Sequence, residues 1–226
     1  MSKPAVIAID GPGASGKDTV GRLLAGRLGF TFVDTGAMYR AVTWLAMKDG
    51  VALGDEAALS KLAMEATIQF LRGREDPTYA RVTINGDDVT DHVHNPDVDV
   101  RVSLVARVRG VRDALVSMQR QMGESGGVVM AGRDIGTVVL PEAPLKIYLE
   151  ASLEERARRR YLELRSKGED LDFDKVLAEL RERDRMDTER KESPLRPAVD
   201  AKVIVTDGLD PERVVTLIME EVKAGC

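Results

Sequence analysis

The amino-acid sequence predicts an α/β fold in which helices wrap a five-stranded parallel sheet. Short apolar runs alternate along the chain with longer amphipathic segments, as they do when a helix follows each strand and covers the sheet. The runs are almost wholly apolar, which is typical of strands buried on both faces. The predicted strands are Ala5–Ile9, Thr31–Val33, Val128–Ala131, Leu145–Leu149 and Ala201–Val205.

Helical spacing and helix-start signals predict the segments between the strands. Ser152 followed three residues later by Glu155 predicts a capping box, and Asp210 followed by Pro211 predicts an N-cap with proline in the first turn. Apolar residues recur on one helical face in two segments: Val20, Leu23, Leu24 and Leu28 after the first strand, and Val214, Leu217, Ile218 and Val222 near the C-terminus.

One region interrupts this alternation, between the second and third parallel strands. Ala66–Leu71 and Tyr79–Ile84 have strand-like sequences, and Asn85-Gly86 is a strong hairpin signal. We therefore predict that residues from about 50 to 99 form an insertion with its own small antiparallel sheet.

Length and composition indicate a single domain over residues 1–226. Hydrophobic residues make up 43% of the chain and charged residues 31%, which is typical of a globular protein. The longest stretch without a charge is eight residues, from Ser125 to Gly132, far below the ~20 that a membrane helix needs. An apolar strand begins almost at the first residue, so we expect no signal peptide and a cytoplasmic location.

The sequence argues against a cysteine cluster, a disulfide and a nucleic-acid partner. The lone cysteine, Cys226, is the last residue, and the two histidines, His92 and His94, are expected at the surface. The net charge of −5 is opposite to the basic balance of a dedicated nucleic-acid binder. We expect a monomer that binds neither nucleic acid nor a membrane.

A glycine-rich loop follows the first strand and precedes an amphipathic helix. Its Gly-x4-Gly-Lys spacing is that of a phosphate-binding loop, in which backbone N–H groups and the lysine surround phosphates at a helix N-terminus. Asp18 stands where this motif has Ser or Thr, so Thr19 is predicted to supply the hydroxyl near a Mg²⁺ ion. The loop residues are Gly11, Pro12, Gly13, Ala14, Ser15, Gly16 and Lys17.

A transferase would also need a second cationic site, because phosphoryl transfer depends on positioning and on neutralising charge. A GTPase is excluded because no asparagine is followed by lysine in a base-reading motif. Leu153–Lys191 holds 12 basic and 12 acidic residues, and nine of the basic ones are arginine, whose planar fork suits phosphate oxygens. Arg156, Arg159 and Arg160 share one helical face there.

On one face of the next helix, apolar residues are followed by charged residues. Val176 and Leu180 begin the stripe, and the same face continues as Arg183, Asp187 and Arg190. Charges that face the protein need partners, and a bound ligand is one candidate. The alternative is a buried Arg–Asp pair that binds no ligand.

Charged residues also stand at strand exits. Asp34 and Thr35 end the second strand, with Arg40 one turn later, and Arg133 and Asp134 end the third. Because ligands bind beyond the carboxyl ends of the strands in an open parallel sheet, we expect these residues to converge with the phosphate-binding loop.

Together these motifs resemble the bacterial cytidylate kinases. The resemblance runs nearly from end to end and includes IDGPGASGKDT, VDTGAMYR, GRDIGTVVLPEAP, LEERARRR and RERDRMDTER. It implies the P-loop nucleoside monophosphate kinase type of fold, with an acceptor-binding region at about 35–125 and a short helical lid at about 153–173. It implies ATP-dependent phosphoryl transfer to CMP or dCMP, giving CDP or dCDP in pyrimidine metabolism, with Mg²⁺.

The resemblance also implies roles for individual residues. Gly11 to Thr19, with Arg156 and Arg160, would hold ATP, and the implied catalytic residues are Lys17, Arg133, Arg159 and Arg190. The implied acceptor ligands are Thr35 and Tyr39; Arg40, Arg133 and Arg190 for the CMP phosphate; Ser103, Arg112 and Asp134 for the base; and Arg183 and Asp187 for the sugar.

The chemistry of cytosine agrees with the implied base ligands. Its pairing edge offers two acceptors, which an arginine can satisfy, and a donor amine, which an aspartate can accept. Uracil reverses part of this pattern and would leave buried polar groups unpaired.

Three other functions stay open at this point. A small kinase that acts on another nucleotide or metabolite would share the phosphate-binding loop, and acceptor assays would separate it. A nucleic-acid-binding module would use the arginine-rich helices, although their acidic partners and the few aromatic residues argue against it. A nucleotide-gated switch would bind ATP without transferring phosphate.

Overall fold

The structure, a computed structural model, describes residues 6–72, 80–169 and 171–224. Five of its strands form a parallel sheet in the order β2-β6-β1-β7-β8. This confirms the predicted five-stranded parallel sheet; Ala5 of the first predicted strand and Cys226 lie outside the described residues. In chain order the strands are β1 (Val6–Asp10), β2 (Thr31–Asp34), β3 (Ile68–Arg72), β4 (Ala80–Ile84), β5 (Asp87–Asp88), β6 (Val128–Gly132), β7 (Leu145–Glu150) and β8 (Lys202–Val205).

Helices cover both faces of this sheet. Ile7 and Ile9 of β1 pack with Leu24 and Ile218 on one face, while Ala8 packs with Ile135 on the other. This double burial explains why the central strands β1 and β6 are almost wholly apolar. The prediction of burial on both faces was wrong for the edge strand β8, where Val203 and Val205 are exposed. The helices are α1 (Lys17–Leu28), α2 (Thr35–Lys48), α3 (Glu56–Glu65), α4 (Pro96–Asp99), α5 (Val102–Ala106), α6 (Arg109–Glu124), α7 (Leu153–Ser166), α8 (Phe173–Glu189) and α9 (Pro211–Ala224).

Both predicted helix starts are present, but the one at Ser152 forms only half of the predicted capping box. The Asp210 carboxylate accepts from the Arg213 N–H at 2.8 Å, and α9 begins at Pro211 as expected. The Ser152 hydroxyl accepts from the Glu155 N–H at 3.3 Å, which is one half of a capping box. The other half is absent, because the Ser152 N–H donates to Asp207 at 2.9 Å and the Glu155 carboxylate binds arginines instead.

The insertion between β2 and β6 contains the predicted antiparallel sheet, in the order β3-β4-β5. Asn85 and Gly86 have φ angles of 53° and 90°, as a two-residue hairpin turn between β4 and β5 requires. Tyr79, the first residue of the predicted second strand, lies outside the described residues. Helix α3 of the insertion packs against α6, where the Ser60 side chain sits over Gly110. The insertion thus shares a hydrophobic core with the helices around it.

Helices α7 and α8 pack side by side at the edge of the fold. Ala157 and Leu164 of α7 meet Val176 and Leu180 of α8, and Ala14 of the glycine-rich loop packs against this cluster. The apolar stripe predicted for α8, which begins with Val176 and Leu180, is therefore the surface that packs against α7. In the described residues, no helix has both the length and the apolar composition required to cross a bilayer.

Candidate active site

The carboxyl ends of β1, β2 and β6 open into one cavity of about 670 Å³. The glycine-rich loop, the start of α2, the turn after β6 and helix α8 surround it, as expected for an open parallel sheet. It brings together most of the residues singled out from the sequence: Gly13, Ala14, Lys17, Asp18, Thr19, Thr35, Tyr39, Arg40, Ser103, Arg112, Arg133, Asp134, Arg160, Arg183, Asp187 and Arg190.

The glycine-rich loop has the backbone of an anion cradle. The φ angles of Gly11, Ala14 and Gly16 are 151°, 58° and 93°. A Cβ at Gly11 would lie 2.3 Å from the Leu149 carbonyl oxygen, so only glycine fits between this loop and β7. The loop ends at the N-terminus of α1, where the helix dipole favours negative charge.

Lys17 lies inside this cradle and is nearly inaccessible to solvent. Its Nζ donates to the Pro12 carbonyl at 2.6 Å and to the Ser15 hydroxyl at 3.3 Å. Burial, together with the positive charge of Arg133, lowers the pKa of Lys17 to about 7. An anion next to the ammonium group would favour its charged form.

Two carboxyl groups lie beside Lys17. Desolvation within the cavity and the nearby Asp34 charge raise the pKa of Asp18. Burial raises the pKa of Asp34 as well, but the Arg40 guanidinium, 2.6 Å away, outweighs this effect and leaves it below its ordinary value. Asp18 thus carries the less stable negative charge of the two.

Four side chains on the cavity wall bury polar atoms without a hydrogen-bond partner in the described part of the chain. They are the Tyr39 hydroxyl, Arg40 Nε, Arg183 Nε and Arg190 Nη2. An unsatisfied buried donor costs about 1–3 kcal/mol. Four of them around one cavity indicate that it is built for a ligand with several acceptor atoms.

The neighbouring guanidinium groups are fixed by protein acceptors. Arg133 Nε donates to Asp187 at 2.8 Å, and Arg190 Nε donates to the Ser193 carbonyl at 2.6 Å. Arg190 follows the last residue of α8, so its backbone is extended and leaves the helical stripe. Burial and the charge of Arg133 lower the pKa of Arg183. Several positive charges therefore lie close together, and Asp187 and Asp134, which pair with Arg133 and Arg190, offset part of them.

The residues expected to bind a base lie together on the cavity wall, and Asp134 Oδ1 is 3.7 Å from Arg190 Nη2. Arg112 Nη2 is hydrogen-bonded to the Asp134 carboxylate, and both side chains are buried. Arg112 Nη1 also donates to the Ala106 carbonyl at 3.3 Å, and its guanidinium lies 5.6 Å from the Tyr39 ring centre. Ser103 completes this end of the cavity.

The three arginines of α7 occupy different surroundings. Arg160 lines the cavity and is paired with Asp99 at 2.7 Å. Arg159 donates to the Thr206 carbonyl at 2.5 Å and to Glu155, while Arg156 is almost completely buried and bound to Asp184. Neither Arg156 nor Arg159 lines the cavity within the described residues, so their contact with ATP stays a prediction.

Three residues near the cavity did not stand out in the sequence. Asp10 accepts from the Ile135 and Gly136 N–H groups, each at 2.8 Å, and thereby fixes the turn that carries Arg133. Its position at the end of β1 is the same strand-exit signal that pointed to Asp34. Asp99 and His94 also line the cavity, and His94 is exposed toward it rather than toward a distant surface.

Known proteins with similar sequences identify the family. The chain matches the cytidylate kinase family model over residues 7–224. It belongs to the cytidylate kinase family. It is 51% identical over 219 residues to the cytidylate kinase of Pelotomaculum thermopropionicum, covering 97% of this chain and 96% of that one. It is 44% identical to the cytidylate kinase of Bacillus subtilis, covering 99% and 98%.

Solved structures agree at the level of the fold. An uncharacterised protein from Eubacterium ventriosum superimposes with a TM-score of 0.53 at 12% identity, covering 98% of this chain and 99% of that one. At that identity the likeness concerns architecture only. The family membership makes this chain a kinase.

Proposed function

We propose that the protein transfers a phosphoryl group from ATP to CMP or dCMP, giving CDP or dCDP, as a cytoplasmic monomer. The observation that carries this proposal is that the glycine-rich loop and the unpartnered guanidinium donors open into a single cavity. Two negatively charged nucleotides can therefore meet there, one on the loop and the other on the arginines. A cavity of about 670 Å³ is within the usual range for small-molecule sites.

The loop would hold the phosphates of ATP. Lys17 donates at present to two neutral oxygens, of Pro12 and Ser15, and phosphate oxygens would offer it stronger, charge-assisted bonds. Backbone N–H groups of residues 13–19 and the start of α1 add positive potential. Of the α7 arginines, Arg160 lines the same cavity, and Arg159 Nη1 contacts the loop itself at the Ser15 carbonyl, 3.5 Å away.

The donor set also suits Mg²⁺, which prefers oxygen ligands, keeps several waters and binds through substrate phosphates. Thr19 and Asp18 line the cavity next to the loop. In the described residues, no three His, Cys, Asp or Glu side chains are grouped as a metal site, so the phosphates would provide most of the coordination. The ion would neutralise charge on the phosphates as they approach each other.

The arginine side of the cavity would hold the acceptor. Arg40, Arg183 and Arg190 each have a buried donor without a hydrogen bond, although Arg190 Nη2 forms a longer ion pair with Asp134 at 3.7 Å. Arg133 lies next to Gly13 of the loop. We assign Arg40, Arg133 and Arg190 to the acceptor phosphate and Arg183 with Asp187 to the sugar. Arg112, Asp134 and Ser103 would recognise the pairing edge of cytosine.

Catalysis would then rest on positioning and charge. The acceptor phosphate is ionised at neutral pH and has no hydroxyl proton to lose, so the reaction needs no general base. Lys17, Arg133 and Arg190 would stabilise the charge on the transferred group as it leaves ADP and joins the acceptor oxygen. The Thr35 hydroxyl, which donates to the Ala131 carbonyl at 2.8 Å, holds the start of α2 against β6.

Steady-state assays with Mg-ATP and a panel of acceptors test this proposal. We expect ADP release with CMP and dCMP, and much less with UMP or AMP. Transfer to UMP, AMP or shikimate with CMP inactive would overturn the assignment. ATP binding without transfer to any acceptor would indicate a nucleotide-gated switch, and salt-sensitive retention of RNA on filters would indicate a nucleic-acid-binding protein.

A further inference from the structure

Arg156 connects three separate segments of the protein through its guanidinium group. Its Nε donates to the Ala151 carbonyl at 3.1 Å and its Nη1 to the Gly13 carbonyl at 3.2 Å. Both Nη atoms also bind the Asp184 carboxylate, at 3.1 and 2.6 Å. One guanidinium thus joins the end of β7, the glycine-rich loop and α8.

These contacts leave Arg156 little capacity to bind a nucleotide. Its side chain is 6% exposed, whereas that of Arg160 on the same helix is 23% exposed and faces the cavity. All three nitrogens of the Arg156 guanidinium already donate to acceptors with good geometry. The contacts indicate that Arg156 acts on the reaction through the groups it holds.

The groups it holds belong to the two halves of the site. Gly13 lies in the loop proposed for ATP, and a Cβ on it would be 3.4 Å from Leu180 and 3.6 Å from the Arg133 guanidinium. Asp184 follows Arg183 directly and precedes Asp187 by one turn, and both of those residues line the acceptor side. The Arg156–Asp184 pair therefore spans the short distance between loop and acceptor side.

We propose that Arg156 is a positioning residue for phosphoryl transfer, which with Asp184 fixes the Gly13 turn against α8 and so sets the spacing between the two bound nucleotides. The proposal rests on the function proposed above. A buried ion pair is weak evidence for added stability, because desolvation cancels much of the attraction. The desolvation cost of the Arg156–Asp184 pair is explained if the pair holds the site in its reactive geometry, since a displacement of about 1 Å can slow a reaction by about 100-fold.

The test combines Arg156→Lys, which keeps the charge but loses the planar fork, with Asp184→Asn and the double variant. Arg158→Lys is the matched control, because Arg158 lies on the same helix, is exposed and binds the Glu155 side chain. We expect each single variant to lower kcat with CMP by about 10-fold or more, while the Kd of CMP measured alone by calorimetry changes less than about twofold. Since both substitutions disrupt the same Arg156–Asp184 ion pair, the double variant should be no slower than the slower single variant.

Other outcomes would overturn the proposal. If Arg156 touches ATP directly, Arg156→Lys will weaken ATP binding while Asp184→Asn leaves both binding and kcat unchanged. If the pair only supports the fold, thermal melting will shift but kcat at temperatures well below melting will equal that of Arg158→Lys. Should Arg156→Lys fail to fold, Asp184→Glu, which keeps the charge but displaces it, serves as the second variant and must lower kcat. Wild-type inactivity toward CMP would instead refute the proposed function.

Discussion

The arginines around the cavity fall into two groups that differ in how many of their donors are already used. Arg156 and Arg159 on α7 bind carboxylates and backbone carbonyls of the protein. Arg40, Arg183 and Arg190, on the other side, each keep a buried nitrogen without a hydrogen-bond partner in the described residues. The comparison teaches that arginine content alone does not locate a ligand. We expect the arginines with unused donors to bind it, because burying an unsatisfied donor is costly without a ligand.

The largest effect should come from removing an arginine with an unused donor. We expect Arg190→Ala to lower kcat by about 100- to 1000-fold, since it removes a donor that neutralises charge in the transition state. The KM for ATP should change by no more than about threefold, because Arg190 belongs to the acceptor side. Steady-state kinetics with ATP and CMP varied separately will check this. Equal losses in ATP affinity and turnover would show that Arg190 does not serve the acceptor, and Arg158→Ala provides the control.

The second prediction concerns a buried carboxyl group, Asp10, and the free energy of unfolding. Burial raises the pKa of Asp10 from 3.8 to about 6, even though two backbone N–H groups bind its oxygens. Between about pH 4 and 6 the unfolded chain releases this proton while the folded protein keeps it. The contribution of Asp10 to the free energy of unfolding therefore falls as pH rises through this range, by about 3 kcal/mol.

Urea unfolding at pH 4, 5, 6 and 7 isolates this effect when wild type is compared with Asp10→Asn. We expect the stability of wild type relative to the variant to fall between pH 4 and 6 and then to level off. Taking the difference between the two proteins removes the contributions of other carboxyls, such as Asp34 and Asp99, whose pKa values are lowered. A difference that does not vary with pH would show that the Asp10 carboxyl titrates alike in both states.

A moderate effect is expected where one acceptor is shared between a donor of the protein and a donor of the ligand. Asp134 is paired with Arg112, and we assign its carboxylate to the amine of cytosine as well. Asp134→Asn should reduce the preference for CMP over UMP, in the ratio of kcat/KM values, by about 1–3 kcal/mol. An unchanged ratio would remove Asp134 from base recognition even if overall activity falls.

The sequence predicted the parallel sheet because double burial leaves a strong local signal. Each of the five predicted parallel strands appears, and β1 and β6 are buried on both faces, whereas the edge strand β8 is apolar but exposed. The strand exits led equally well to Arg40 and Arg133, because the carboxyl ends of parallel strands meet at one edge.

The sequence could not show which arginines are already paired. Arg156 and Arg160 share one helical face, but Asp184 and Asp99, which lie on other helices, hold them in different surroundings. Helical periodicity carries no information about such partners. The capping box at Ser152 was wrong in its second half for the same reason, because Asp207 and two arginines compete for its groups.

The smallest effect should come from a substitution at the start of α7. This substitution tests the stability of the helix without changing the ion pairs of its arginines. Ser152→Ala removes the hydroxyl that accepts from the Glu155 N–H and should lower the free energy of unfolding by about 1 kcal/mol. The Asp207 carboxylate still accepts from the backbone N–H of residue 152, so the helix keeps its place. We expect kcat to remain within about twofold of wild type well below the melting temperature. A loss of kcat as large as that caused by Arg156→Lys would contradict the proposal. It would mean that the position of the whole helix α7, rather than the Arg156–Asp184 ion pair, sets the spacing of the two nucleotides.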